Sequence, residues 1–139
     1  MPDKHRNGSS GKLPPKVILL VEDNPSLLML VKNLLEGDGH TVLTAKDGEV
    51  ALGLLVHGPT TIDVMLCDVV LPRIAGTDLA RFTSSQRPRT KVVLYSGQVD
   101  NVRAELGDIA DQVQILSKPF EPDTLRATMQ RALDSSSKV

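Results

Sequence analysis

Apolar residues along this chain fall into short blocks separated by amphipathic stretches. Val17–Val21 is a continuous apolar run rich in β-branched residues, the pattern of a strand covered on both faces. Asn24-Pro25 then supplies an N-cap and a proline at the first helical position. Leu27, Val31, Leu34 and Leu35 recur at helical spacing, and Gly37 or Gly39 ends that helix. Val42–Ala45 predicts a second strand. Asp47 caps a second helix with Val50, Ala51, Leu54 and Leu55 facing inward, closed by Gly58-Pro59. Ile62–Cys67 predicts a third strand, and Thr77 is expected to cap a third helix carrying Leu79 and Phe82. Lys91 leads into a fourth strand, Val92–Tyr95, and a fourth helix is expected around Asn101–Leu106. Val113–Leu116 predicts the fifth strand. Pro122 opens a fifth helix with Leu125, Met129, Ala132 and Leu133 on one face.

Five strand–helix units with short connections imply a parallel sheet, because each helix must carry the chain back to the start of the next strand. Right-handed crossovers place helices on both faces, giving a single (βα)5 doubly wound α/β domain. In such sheets ligands gather beyond the carboxyl ends of the strands. Those ends collect chemistry. Glu22 and Asp23 follow the first strand and Asp68 ends the third. Ser96-Gly97 follows the fourth, and Ser117, Lys118 and Pro119 follow the fifth. Three converging carboxylates repel one another, and a hard dication relieves that repulsion. Oxygen-only ligands with room for water suit Mg²⁺. Lys118, being cationic, holds an anion beside the metal, and a serine hydroxyl donates to the same anion. A carboxylate nucleophile with these neighbours has what phosphoryl transfer requires, and Asp68, on the most central strand, is assigned as that nucleophile.

Composition narrows the field. Hydrophobic residues make up 40% of the 139 residues, enough for one packed core. The formal net charge of −1 gives no basic excess for a phosphate backbone, and 2% aromatics give little to stack bases on, so nucleic acid is not an expected partner. The single cysteine, Cys67, excludes an internal disulfide framework and reads as a small buried hydrophobe. A reduced, cytoplasmic setting follows as the default. No apolar run approaches the roughly 20 residues that span a bilayer, so no membrane partner is expected. Residues 1–15 are rich in Gly, Ser, Pro and Lys and read as a flexible arm. Residues 16–134 read as the domain, and 135–139 as a flexible end.

VILLVEDNPSL, CDVVLPRIAG, VVLYSG and ILSKPF, in this order, resemble the response-regulator receiver domain of two-component signalling. The resemblance spans roughly residues 16–134. Asp68 lies 45 residues after Asp23, 28 before Ser96 and 50 before Lys118. The resemblance implies a flavodoxin-like sheet of order 2-1-3-4-5. It implies Mg²⁺ held by Glu22, Asp23, Asp68 and the backbone carbonyl of Val70, with Asp68 as phospho-acceptor. Ser96 would be the switch hydroxyl and Lys118 the phosphoryl contact, ahead of a cis Lys118–Pro119 bond. Pro72 and Gly76 match the loop after the acceptor. The implied donor is a sensor histidine kinase or histidine phosphotransfer domain. Phosphorylation would shift a two-state equilibrium in the fourth helix, fifth strand and fifth helix, which an output protein or domain reads. The protein would be a phospho-acceptor rather than an enzyme, contributing to its own phosphoryl transfer and slow dephosphorylation.

One position departs from the family. The Tyr or Phe often found three residues before the lysine is Ile115 here, so coupling must run through smaller packing changes. The resemblance implies that Val70 and Gln98 flank the phosphoryl site, and the Val70 side chain has no polar atom to orient an attacking water, which favours a long-lived phosphoryl group.

Taken singly, Glu22 and Asp23 read as a solvated loop, Asp68 as a cap and Lys118 as a surface charge. Only their combination carries the chemistry. His5, His40 and His57 lack ligand spacing and read as surface or loop residues. Met29, Met65 and Met129 read as core, Asp63 and Asp100 as caps or solvated charges, and Arg73 as either a kinase contact or an ordinary exposed charge. A flavodoxin-like cofactor binder would need a Gly/Ser/Thr-rich phosphate cradle where VEDNP stands. A nucleotide enzyme would need GxGxxG or GxxxxGK[ST], which do not occur. An aspartate-nucleophile phosphatase would want a second acid at position 70. The remaining alternative is a phosphorylation-independent receiver-like protein–protein adaptor. The chain reads either as a stand-alone receiver or as the receiver of a hybrid kinase or longer regulator. A homodimer through the face of the fourth helix, fifth strand and fifth helix stands as an alternative to a monomer.

Overall fold

The computed structural model describes residues 13–134. The strands are β1 (Val17–Val21), β2 (Thr41–Ala45), β3 (Val64–Asp68), β4 (Lys91–Ser96) and β5 (Val113–Ser117). The helices are α1 (Pro25–Gly37), α2 (Gly48–His57), α3 (Gly76–Gln86), α4 (Val99–Leu106) and α5 (Pro122–Asp134). All neighbouring strands pair parallel in the order β2-β1-β3-β4-β5, as expected. The chain reverses its direction of travel across the sheet between β2 and β3, so the ends of β1 and β3 border the crevice where ligands collect in such sheets.

The central strands are apolar throughout because both faces are covered. Ile18, Leu20, Val64, Leu66, Val93 and Tyr95 face α1 and α5, meeting Val31, Leu35, Leu125 and Met129. The alternate residues Leu19, Val21, Met65, Cys67 and Leu94 face α2, α3 and α4. Asn24 caps α1 by accepting from the amides of Ser26 and Leu27, and Asp47 caps α2 by accepting from Val50. Arg87, just past α3, donates to the carbonyls of Leu55, Pro59 and Thr60, so one guanidinium closes the end of α2.

Several expectations are corrected. Thr77 does not cap α3. The N-cap is Ala75, without a side-chain bond, and Thr77 is buried in the first turn. Val50 points outward, 40% exposed, whereas Ala51 and Leu55 are buried and Leu54 packs against the core as expected. Met29 is exposed whereas Met65 and Met129 are core. His40 is buried, its Nδ1 accepting from the Lys16 amide. Asp63 is neither cap nor solvated charge: its carboxylate accepts from the Val17 amide, tying the start of β1 to the approach to β3. β3 begins at Val64, not Ile62, although Ile62 is still buried. A 3-10 turn, Gly107–Gln112, joins α4 to β5. Of the arm expected at 1–15, residues 1–12 lie outside the described residues, as do 135–139, while Leu13 packs on the core.

Candidate functional site

The carboxyl ends of β1, β3, β4 and β5 bring the expected residues together. Asp68 ends β3 and is buried, at 5% exposure. Its Oδ1 accepts from the Val70 amide at 3.0 Å, and its Oδ2 receives Lys118 Nζ at 2.7 Å. Lys118 follows β5, and its position is fixed by the strand: its amide donates to the Ser96 carbonyl at 2.9 Å, continuing the β4–β5 pairing by one residue. The Lys118–Pro119 bond is cis, as expected.

Glu22 and Asp23 follow β1. Glu22 is buried, at 2% exposure, and Asp23 is exposed. Glu22, Asp23 and Asp68 each offer an oxygen within 4.8 Å of the others. Glu22 is held by two donors, Tyr95 Oη to its Oε1 at 2.6 Å and the Asn24 amide to its Oε2 at 3.0 Å. Burial raises the Glu22 carboxyl above its ordinary value and the Asp68 charge adds to this, while the two donors and Lys118 oppose it. The site thus contains three acids against one lysine in a largely buried crevice. That imbalance, and an all-oxygen donor set with one exposed member, fit a hard divalent ion such as Mg²⁺ that keeps part of its water shell.

Ser96 ends β4, 7% exposed, with its Oγ accepting from the Gln98 amide at 2.9 Å. That bond uses a lone pair and leaves the hydroxyl proton for an anion. Val70 is 77% exposed, and its amide rather than its side chain touches Asp68. Ile115 packs against the α2–α4 side of the core. Arg73 lies in the β3–α3 loop at φ 78, a left-handed conformation uncommon for a residue with a Cβ, and pairs loosely with Glu49 at 3.8 Å. Cys67 is buried, and burial pushes its thiol well above the ordinary range, so it is inert as a nucleophile.

Sequence reasoning missed Tyr95. It lies fully buried beside Asp68 in the β3–β4 register, its ring edge-on to Phe120 at 5.4 Å and 5.2 Å from Lys118 Nζ. The available signal was alternation along β4: with Leu94 and Ser96 on one side, Tyr95 must face the other, with its hydroxyl at the level of the acids. Next to Lys118, an apolar hollow of about 590 Å³ opens between α1 and the start of α5, lined by Leu27, Leu30, Val31, Leu34, Phe120 and Pro122.

Comparison with known proteins agrees with this geometry. The sequence profile of the response regulator receiver domain matches residues 18–130. The chain is 35% identical over 119 residues to the transcriptional regulatory protein CpxR of Escherichia coli (strain K12), covering 86% of this chain and 50% of CpxR. It is 36% identical over 125 residues to the transcriptional regulatory protein TcrA of Mycobacterium tuberculosis (strain ATCC 25618 / H37Rv), covering 88% and 47%. The chain therefore spans about half the length of these curated relatives. A response regulator receiver domain protein from Clostridium thermocellum superposes with a TM-score of 0.76 at 28% identity, over 88% of this chain and 98% of that one. The chain belongs to the response regulator receiver domain family, the CheY-like module of two-component signalling. It is a signalling module rather than a conventional enzyme. No helix among the described residues is long and apolar enough to cross a membrane.

Proposed function

We propose that residues 16–134 form a phospho-accepting receiver in which Asp68 takes a phosphoryl group from a phosphohistidine, with Mg²⁺ held by Glu22, Asp23, Asp68 and the Val70 carbonyl. The observation that carries this reading is the pairing of Lys118 Nζ with Asp68 Oδ2 at 2.7 Å inside a cluster of three acids. An adaptor that never met phosphate would have no use for a buried acid–lysine pair beside two further carboxylates.

When bound, the metal ion neutralises charge on the transferring phosphoryl oxygens. The chain's own residues do the rest. An Asp68 carboxylate oxygen attacks phosphorus in line, the new O–P bond forms as the N–P bond breaks, and the electron pair leaves with the donor imidazole. Lys118 exchanges its bond to Asp68 for one to a phosphoryl oxygen. Ser96 donates its hydroxyl proton to another, drawing the end of β4 inward. The β4–β5 edge and α4 feel that displacement, and with Ile115 in place of an aromatic the change passes through packing rather than a ring flip.

The donor is a sensor histidine kinase or a histidine phosphotransfer domain. The apolar hollow beside Lys118, with Leu30 67% exposed at its rim, supports docking next to the acceptor. An output protein or domain reads the phosphorylated form, in a cytoplasmic setting.

The test is incubation with acetyl phosphate and Mg²⁺ followed by intact-mass measurement. The wild type gains about 80 Da, one phosphoryl group, and Asp68→Asn gains nothing. No adduct on the wild type, or an equal adduct on Asp68→Asn, refutes the assignment and leaves the adaptor reading.

A further inference from the structure

The Tyr95 ring packs edge-on to Phe120 and lies 5.2 Å from Lys118 Nζ, contacts in which its hydroxyl plays no part. Phenylalanine would fill the same space against Phe120 and under Lys118. The hydroxyl is nevertheless buried with the rest of the residue, within 2.6 Å of Glu22 Oε1 and 3.4 Å of the Val21 carbonyl. It has one proton to give, and the shorter, charge-assisted bond to the carboxylate takes it. Glu22 is 2% exposed, so water cannot replace this donor without the core opening. The second oxygen of Glu22 is already bonded to the Asn24 amide. One donor on each oxygen fixes both the plane and the reach of the carboxylate. The ring is fully buried and meets Phe120 edge-on at an interplanar angle of 66°, so it is packed on the side away from Glu22 as well.

We propose that Tyr95 is a positioning residue of the metal centre: through its hydroxyl it holds the buried Glu22 carboxylate in the orientation that meets the ion. This rests on reading the acid cluster as a Mg²⁺ centre. Without the hydroxyl, Glu22 keeps one donor, and the nearest cation it can turn to is Lys118, already the partner of Asp68. The loss therefore falls on ion binding at the cluster rather than on packing.

The chain carries its own reporter. Tyr95 is its only tyrosine and it has no tryptophan, so intrinsic emission comes from this phenol, which is quenched when it donates to a carboxylate. The experiment is a Mg²⁺ titration of the full chain by calorimetry and by tyrosine emission, with calorimetry repeated on Tyr95→Phe. Wild-type emission is expected to change along the calorimetric binding curve. Tyr95→Phe is expected to bind Mg²⁺ about tenfold more weakly, the scale of one charge-assisted hydrogen bond, while still unfolding cooperatively. A Kd for Tyr95→Phe within twofold of wild type overturns the proposal and leaves the metal centre intact. Should that variant fail to fold, the wild type decides alone: an ion on Glu22 draws charge from the carboxylate and weakens the quenching bond, so emission that rises along the calorimetric curve supports the role, and emission flat across a calorimetric transition overturns it. A wild type that binds no Mg²⁺ removes the metal-centre reading and this inference together.

Discussion

Glu22 is the residue whose environment works against it. Its carboxyl is raised by burial, so in the metal-free protein the folded state holds that proton more tightly than the unfolded chain does. Its contribution to stability is therefore greatest below the ordinary value of 4.5 and is lost as pH rises through the raised folded value. Glu22→Gln removes the charge yet keeps an oxygen for Tyr95. In EDTA near pH 7 it is expected to be more stable than wild type, because burial and the Asp68 charge disfavour the carboxylate by more than Tyr95, Asn24 and Lys118 favour it. Its urea midpoint should fall less, or rise more, with pH than the wild type's, since the Glu22 contribution is gone while that of His40, whose burial lowers its pKa, remains. A variant less stable than wild type under these conditions would mean that Lys118 and the two hydrogen-bond donors already compensate the charge. The individual acids, Ser96 and Lys118 were legible in the sequence because each follows an apolar strand. The pairing of Tyr95 with Glu22 was not, since the two are 73 positions apart and meet only through packing.

At the scale of elements, the loop after β3 depends on a close approach that only glycine allows. A Cβ at Gly76 would run into the Asp68 carbonyl and come within 2.7 Å of Val69 Cα, both backbone atoms that cannot step aside. Gly76→Ala is expected to cost about 2–3 kcal/mol, the scale of overpacking a tight interior, and to slow Asp68 phosphorylation by displacing the strand end. Gly53, within α2, has nothing within 4 Å of a built Cβ, so Gly53→Ala should stabilise by about 0.5–1 kcal/mol through helix propensity. Chemical denaturation of the two variants side by side checks both signs, and equal effects would contradict the packing account. The strands and most helix starts were readable because apolar runs, Asn24-Pro25 and Asp47 are local signals. The start of α3 was misread because Thr77 resembles a cap in isolation. In the fold it is drawn into the core and Ala75 takes the cap position with no side-chain bond. The 3-10 turn at Gly107–Gln112 has no periodic apolar face to announce it.

For the molecule as a whole, the proposed metal would be a stabiliser by mass action, since the three acids gather only in the folded state. Mg²⁺ at ten times its Kd is expected to add about 1.4 kcal/mol, raising Tm by roughly 5 °C for a domain of this size, with EDTA restoring the original midpoint. Differential scanning calorimetry with and without Mg²⁺ checks this, and an unmoved Tm would count against ion binding at the cluster. The centre draws Glu22 and Asp23 from the end of β1, Asp68 from β3, Ser96 from β4 and Lys118 from beyond β5. No fragment shorter than that span carries the full set. On the proposed reading, a truncated, nascent or misfolded copy that lacks part of the set would neither drain phosphate nor pass on a false message, so competence to signal would itself certify correct folding.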